Sequence, residues 1–280
     1  MQVIEDLSEM QTLAIRLRVD GRLLALVPTM GSLHEGHLSL IDTAKTRADV
    51  CVVSLFVNPT QFGPNEDFES YPRQRSEDIA LCEARGADIV FAPRAQDIYP
   101  PDFSTYIIEE KIGKGLEGVS RPGHFRGVTT VVAILFNLCR PDVAIFGQKD
   151  AQQAAIIKRM VRDLRFATEV VVTPTVRESD GLAMSSRNIY LEPNERVEAN
   201  KINAALQTGK QLVAGGTLSV ERVKAEVVHH LSQSRRLRVI YVEVVDPDTM
   251  EPERSVRPGR SLLVTAVWLD RTRLIDNLVL

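Results

Sequence analysis

The chain has 280 residues, 44% of them hydrophobic and 25% charged, and a formal net charge of −3. This is an ordinary globular composition, and a chain this long buries a core without disulfide or metal staples. The slightly acidic balance excludes a general nucleic-acid-binding field, so positive charge for an anionic ligand must be gathered locally. Cys51, Cys82 and Cys139 are scattered, with no C-x-x-C pair and no neighbouring histidine, which argues against a disulfide framework or zinc site and for a reducing cytoplasm. The N-terminus MQVIEDLSEM lacks the apolar run of a signal peptide, and the longest apolar stretch, 131–136, is far too short to span a membrane.

Residues 5–18 place Leu7, Met10, Leu13, Ala14 and Leu17 near one face, which predicts an amphipathic helix. LLALV (23–27) has the length of a buried strand and breaks at Pro28. A helix is expected over 37–48, then a second buried strand over 50–57 ending in the turn-rich NPTQFGPNED. Residues 75–86 read as a helix, 88–93 as a strand, and 103–110 alternate as an edge strand would. The Gly-rich stretch 111–127 predicts a long mobile loop. A helix over about 128–139, a strand over 142–147, a helix over about 150–164 and a strand over 168–174 follow. Buried strands alternating with helices predict an α/β fold, a doubly wound, mostly parallel, Rossmann-like sheet whose ligands bind beyond the carboxyl ends of its strands. From about 176 the pattern changes to a polar loop, two helical segments (about 193–214 and 217–236) and two alternating strands (238–245 and 261–269). A second, smaller α+β domain is therefore expected over 176–280, after a first over 1–175.

The densest chemical signal is PTMGSLHEGH (28–37), which runs from the first buried strand into a helix. Gly31 permits a tight turn, and Gly36 lets a flat ring approach the backbone. His34 and His37, three apart at a helix start, project on roughly the same side, where free amides and the positive dipole end favour a phosphate. A pair of surface histidines on a helix cap is the plainer alternative. Zinc is disfavoured, because H-E-G-H lacks the H-E-x-x-H spacing and no third ligand stands near.

The loop AMSSRN (183–188) offers hydroxyls and amides from Ser185 and Ser186 and the planar cation of Arg187. FGQKD (146–150) ends a strand and opens a helix with Lys149, and with Asp150 as either a helix cap or a group for ribose or, indirectly, magnesium. Gln61 in FVNPTQF and Gln153, one turn past Lys149, carry uncharged amides suited to a hydroxy acid, although either alone is more often a surface residue.

H-x-G-H together with the MSSR loop resembles the nucleotidylyltransferase superfamily, in which such elements grip ATP from opposite sides. Ala183 stands where that superfamily often has a lysine, so Lys149 is expected to help the leaving pyrophosphate. PTMGSLHEGH, FVNPTQF, YPR (71–73), GHFRGV (123–128), FGQKD and MSSRN occur in the order and spacing of the pantothenate synthetases, a match carried by residues 20–190. That family joins pantoate to β-alanine with ATP through a pantoyl adenylate, typically as a magnesium-dependent homodimer. The resemblance implies an ATP site from Met30, Gly31, Ser32, Leu33, His34, Glu35, Gly36 and His37, from Gly147, Gln148, Lys149 and Asp150, from the backbone of Val176, and from Met184, Ser185, Ser186 and Arg187. It makes His37 the catalytic histidine, with His34, Lys149 and Arg187 around the developing charge. Gln61 and Gln153 would bind pantoate, Gln61 would also meet β-alanine, and Mg²⁺ would be held mainly by the ATP phosphates. The stretch 111–127 is a candidate cover whose His124 and Arg126 either reach the ligand or stabilise the loop. The alternative is a cofactor nucleotidylyltransferase, which would want more cations for a phosphorylated acceptor. A nucleotide-sensing module would have little use for three phosphate-directed motifs, and a truncated aminoacyl-tRNA synthetase would want a basic RNA face.

Overall fold

The computed structural model describes residues 1–64 and 66–280; Asn65, in the expected turn-rich stretch, lies outside them. The chain runs β1 (Gln2–Ile4), α1 (Leu7–Val19), β2 (Leu24–Thr29), α2 (Glu35–Arg47), β3 (Val50–Leu55), α3 (Arg75–Ala84), β4 (Ile89–Phe91), α4 (Ala95–Ile98), α5 (Glu117–Ser120), α6 (His124–Cys139), β5 (Val143–Gly147), α7 (Ala151–Leu164) and β6 (Glu169–Thr173). It continues through α8 (Pro193–Ala199), α9 (Lys201–Ala214), α10 (Val220–Ser232), β7 (Leu237–Val245), β8 (Leu262–Leu269) and β9 (Thr272–Val279). Two compact units result: Met1–Gly147 with Ile156–Thr173, and Gln148–Ala155 with Pro174–Leu280. The first residues of α7 thus group with the second unit and the rest of that helix with the first.

In the first unit six parallel strands lie in the order β1-β4-β3-β2-β5-β6. Successive side chains on a strand point to opposite faces, so a strand buried at consecutive positions must be covered on both. Leu24, Ala25, Leu26 and Val27 meet that test. Ala25 and Val27 of β2 pack in one cluster with Val53 of β3, Ile145 of β5, Ile41 of α2 and Cys82 of α3. Strand order reverses between β2 and β5, and such a switch point opens a crevice at the strands' carboxyl ends. The segment 28–37 leaves β2 there. All three cysteines are buried and unpaired, and burial pushes their thiols up to about 12. Among the described residues no helix is long and apolar enough to cross a membrane.

The α/β reading holds, with local corrections. Pro28 does not end β2; it lies in register with Ser54, and the strand runs to Thr29. Residues 103–110 are not a strand. Ile107 gives its N–H to Thr130 Oγ1 (3.1 Å) and takes Thr129 Oγ1 on its carbonyl (2.6 Å), so threonines of α6 replace a neighbouring strand. The stretch 111–127 is not one long loop: it holds a 3-10 turn at Ile112–Lys114, α5, and the start of α6 at His124. The helix expected over 193–214 is interrupted at Asn200, and β1 and β9 carried no sequence expectation.

The second unit has its own core, in which Ile202 and Leu206 of α9, Val223 and Val227 of α10, and Leu263 and Val267 of β8 are sealed from solvent. Its sheet is antiparallel in the order β7-β8-β9. Asp276 of β9, its side chain only 2% exposed, takes a bidentate grip from Arg177 at 2.7 and 2.9 Å. The same guanidinium reaches the carbonyls of Gly181 and Asn277, so this pair pins the polar loop that follows β6. Asp276→Ala would strand the arginine's charge, and stability should fall by about 3–5 kcal/mol, read as an earlier transition in urea. A transition unmoved by this change would show that the pair contributes nothing net.

Candidate active site

The loop after β2 is shaped by a residue that sequence reasoning passed over. Gly31 (φ 82°) and Ser32 (φ 50°) both adopt left-handed backbone, which turns the next two amides inward. The buried carboxylate of Asp78, on α3, accepts the N–H of Ser32 at 2.9 Å and of Leu33 at 2.7 Å. A Cβ at Gly31 would stand 2.9 Å from Asp78 Oδ2, so the glycine is required by the approach as well as by its φ. Nothing around Asp78 in sequence marks it. Its partners lie 45 and 46 residues away.

Beyond the turn, His34 caps α2, and its Nδ1 accepts the N–H of Gly36 at 3.1 Å. A neutral His34 therefore carries its proton on Nε2, where it is a donor. The rings of His34 and His37 lie 4.1 Å apart between centroids. This puts two imidazoles on the first turn of a thirteen-residue helix, at the positive end of its dipole. Glu35 is exposed and pairs with Arg85 at 3.2 Å, which keeps a carboxylate at the same turn partnered by a cation.

FVNPTQF is built around Asn58, 1% exposed. Its Oδ1 accepts from the Thr60 hydroxyl and the Tyr99 hydroxyl, both at 2.9 Å, and its Nδ2 donates to Gln61 Oε1 (3.0 Å) and to the Gly127 carbonyl (3.1 Å). Gln61 ends a 3-10 turn (Pro59–Gln61), is itself buried, and places its Nε2 2.9 Å from the Met30 sulfur. Thus Met30 and Gln61, from two motifs on neighbouring strands, meet in the first unit. His124 is buried as well, with Nδ1 2.8 Å from the Gln61 carbonyl; burial, and then the charge of Arg121, depress its pKa to about 4. Arg126 stacks over Tyr106 at 4.6 Å.

The remaining predicted residues fall in the second unit, save Gly147, which ends β5 in the first. Gln148, Lys149 and Asp150 form a 3-10 turn before α7. Asn277, another residue without a sequence signal, donates through Nδ2 to the carbonyls of Gln148 and Lys149, both at 2.9 Å, and accepts from Gln148 Nε2 at 3.2 Å. Lys149 Nζ is 3.7 Å from Asp150, and Gln153 is half-buried on α7. The N–H of Met184 donates to the Val176 carbonyl at 3.0 Å, which closes the 177–183 loop. Ser185 caps the turn Ser186–Tyr190 by accepting the Arg187 N–H at 3.3 Å, and Asn188 holds Glu178 and the Ala183 carbonyl.

A doubly wound parallel sheet with an H-x-G-H helix start at its switch point is the build of a nucleotide-binding α/β enzyme. The model of the pantoate–β-alanine ligase family matches residues 2–279. Pantothenate synthetases from Thermotoga petrophila and Geobacter sulfurreducens are 49% and 50% identical to this chain, covering all of it and 100% and 99% of their own lengths. Among solved structures, pantothenate synthetase from Thermus thermophilus superposes with a TM-score of 0.94 at 41% identity, covering 100% of this chain and 99% of its own. The Francisella tularensis pantoate–β-alanine ligase, described as complexed with β-γ ATP and β-alanine, gives 0.82 at 33% identity over 100% of this chain and 97% of its own. This chain belongs to the pantoate–β-alanine ligase family.

Asp78→Ala removes the acceptor of two inward amides, each worth about 1–3 kcal/mol when left unsatisfied. Amide exchange at Ser32 and Leu33 should accelerate strongly in that variant while exchange along β3 stays slow. Equal protection at Ser32 and Leu33 with and without the carboxylate would show that something else shapes the loop.

Proposed function

We propose that this protein condenses pantoate with β-alanine at the expense of ATP, releasing AMP and pyrophosphate, through a pantoyl adenylate. The observation that carries the reading is the pairing of His34 and His37 on the first turn of α2, in a chain matched to this ligase family along its whole length. In the first step a pantoate carboxylate oxygen attacks the α-phosphorus in line; the new P–O bond forms as the bond to the β-phosphate oxygen breaks. The β-alanine nitrogen then attacks the acyl carbon, the C–O bond to AMP breaks, and the nitrogen gives up a proton. Neither step needs a covalent enzyme intermediate, so catalysis rests on positioning and on donors fixed in advance around the developing charge.

In this reading Met30 to His37 bind ATP, with His34 and His37 facing the phosphates. Gly147, Gln148, Lys149, Asp150, Val176 and Met184 to Arg187 serve the same nucleotide, with Lys149 and Arg187 supplying the cations. Gln61 and Gln153 hold pantoate, and Gln61 also meets β-alanine. Support for Gln61 is local: its Nε2–H faces a thioether, a weak acceptor that a carboxylate readily outcompetes. In this reading Mg²⁺ would be held mainly by the ATP phosphates, with at most a carboxylate such as Asp150 beside it. When bound, the ion neutralises charge on the departing pyrophosphate. A cytoplasmic homodimer belongs to the same reading.

With ATP, Mg²⁺ and pantoate but no β-alanine, the protein should exchange labelled pyrophosphate into ATP, since the first half-reaction is complete and reversible without the amine. Exchange that waits for β-alanine, or release of ADP, would sink the adenylate route; a cofactor adenylyltransferase would exchange only with its own dinucleotide product. His37→Ala should lower kcat about 10²–10³-fold in a folded protein, the scale of one lost preorganised donor. Undiminished turnover in that variant would remove His37 from the chemistry.

A further inference from the structure

Behind Gln61 stands a chain of buried and partly buried polar contacts that the proposed reaction does not use. The His124 Nδ1–H donates to the Gln61 carbonyl at 2.8 Å, and Nε2 on the other side of the ring accepts from Arg121 Nη1 at 3.0 Å. The Arg121 guanidinium is gripped by both oxygens of Glu66, at 2.8 and 2.7 Å, and its Nη2 also reaches toward the Gln61 carbonyl at 3.5 Å. A histidine that accepts from arginine on one nitrogen must be neutral and donate through the other, so the arginine fixes the tautomer that holds Gln61. Glu66 is in turn held below its usual carboxylate range. Burial pushes it up, but the hydrogen bonds and charge of Arg121 outweigh that. On the other side of Gln61, α6 lies so close that a Cβ on Gly127 would be 2.5 Å from the Thr60 carbonyl oxygen and 2.6 Å from the Gln61 nitrogen. The Gln61 main chain is thus clamped at both its amide and its carbonyl.

We infer that His124, oriented by Arg121 and Glu66, is a positioning residue that sets the Gln61 side chain for the acid substrate. With 8% of its surface exposed and both ring nitrogens engaged within the protein, His124 acts through Gln61 and not on the ligand. The inference rests on the reading that Gln61 binds pantoate. Small displacements of a binding group are costly to affinity and rate, and His124 makes the shortest contact to the carbonyl of this three-residue turn.

The test uses pantoate-dependent pyrophosphate exchange in the full-length protein, with thermal melts to confirm folding. His124→Leu should raise KM for pantoate about tenfold and leave KM for ATP within about twofold. His124→Asn keeps an N–H near the Nδ1 position and should recover most of the loss, which a merely space-filling role would not produce. In a Gln61→Ala background His124→Leu should add no further rise, because the group it positions is gone. A folded His124→Leu protein with unchanged pantoate KM, an equal rise in ATP KM, or an additive effect on top of Gln61→Ala would each overturn the inference while leaving the Gln61 assignment standing. If Gln61→Ala itself leaves pantoate KM unchanged, the Gln61 assignment fails and the inference falls with it. Should His124→Leu not fold, Arg121→Gln removes the tautomer lock from the partly exposed side and should raise pantoate KM severalfold; no rise there overturns the inference equally.

Discussion

Where a parallel strand ends, its backbone loses the neighbours that satisfied it, and the loop that follows must find other partners for its amides and carbonyls. At the carboxyl edge of this sheet two buried polar side chains meet that demand. Asp78 takes the amides of Ser32 and Leu33, and Asn58 ties its own turn to the Gly127 carbonyl. In the second unit Asn277 serves the carbonyls of Gln148 and Lys149 in the turn after β5. None of these is a site residue predicted from the sequence. Each holds main chain beside residues of the candidate site.

This division of labour fixes the main chain on which the candidate site residues stand. His34 satisfies the start of α2 with Nδ1. Gln61 has its main chain fixed by α6 and its Oε1 fixed by Asn58, while its Nε2 meets only a thioether. Ser185 caps a short turn and thereby orients the residues that follow it, Arg187 among them. Buried polar groups of this kind cost stability when half satisfied and specify one geometry when fully satisfied.

The misfits between sequence pattern and structure gather at the same residues. β9 escaped notice because Asp276 and Asn277 sit in its middle, and both types are poor strand formers. Each is present for a tertiary partner, Arg177 in one case and the Gln148–Lys149 turn in the other. The expected strand at 103–110 had the right alternation, but the residues offered to it are threonine hydroxyls on a helix. Within the expected loop at 111–127, Gly127 is small so that α6 can approach Gln61.

The amino-acid sequence alone determined the alternation of buried strands and helices, hence the doubly wound sheet, because a period of two against a period of 3.6 is written in neighbouring residues. It also marked PTMGSLHEGH, since the residues that turn the chain and those with imidazoles lie within ten positions. Only the tertiary structure decided that Asp78 shapes that turn, that His124 meets the Gln61 carbonyl, and that Asn277 holds the Lys149 turn. Those contacts join residues 46, 63 and 128 positions apart. Their energy comes from satisfying buried backbone groups, a requirement that exists only once the chain has folded and water has been excluded.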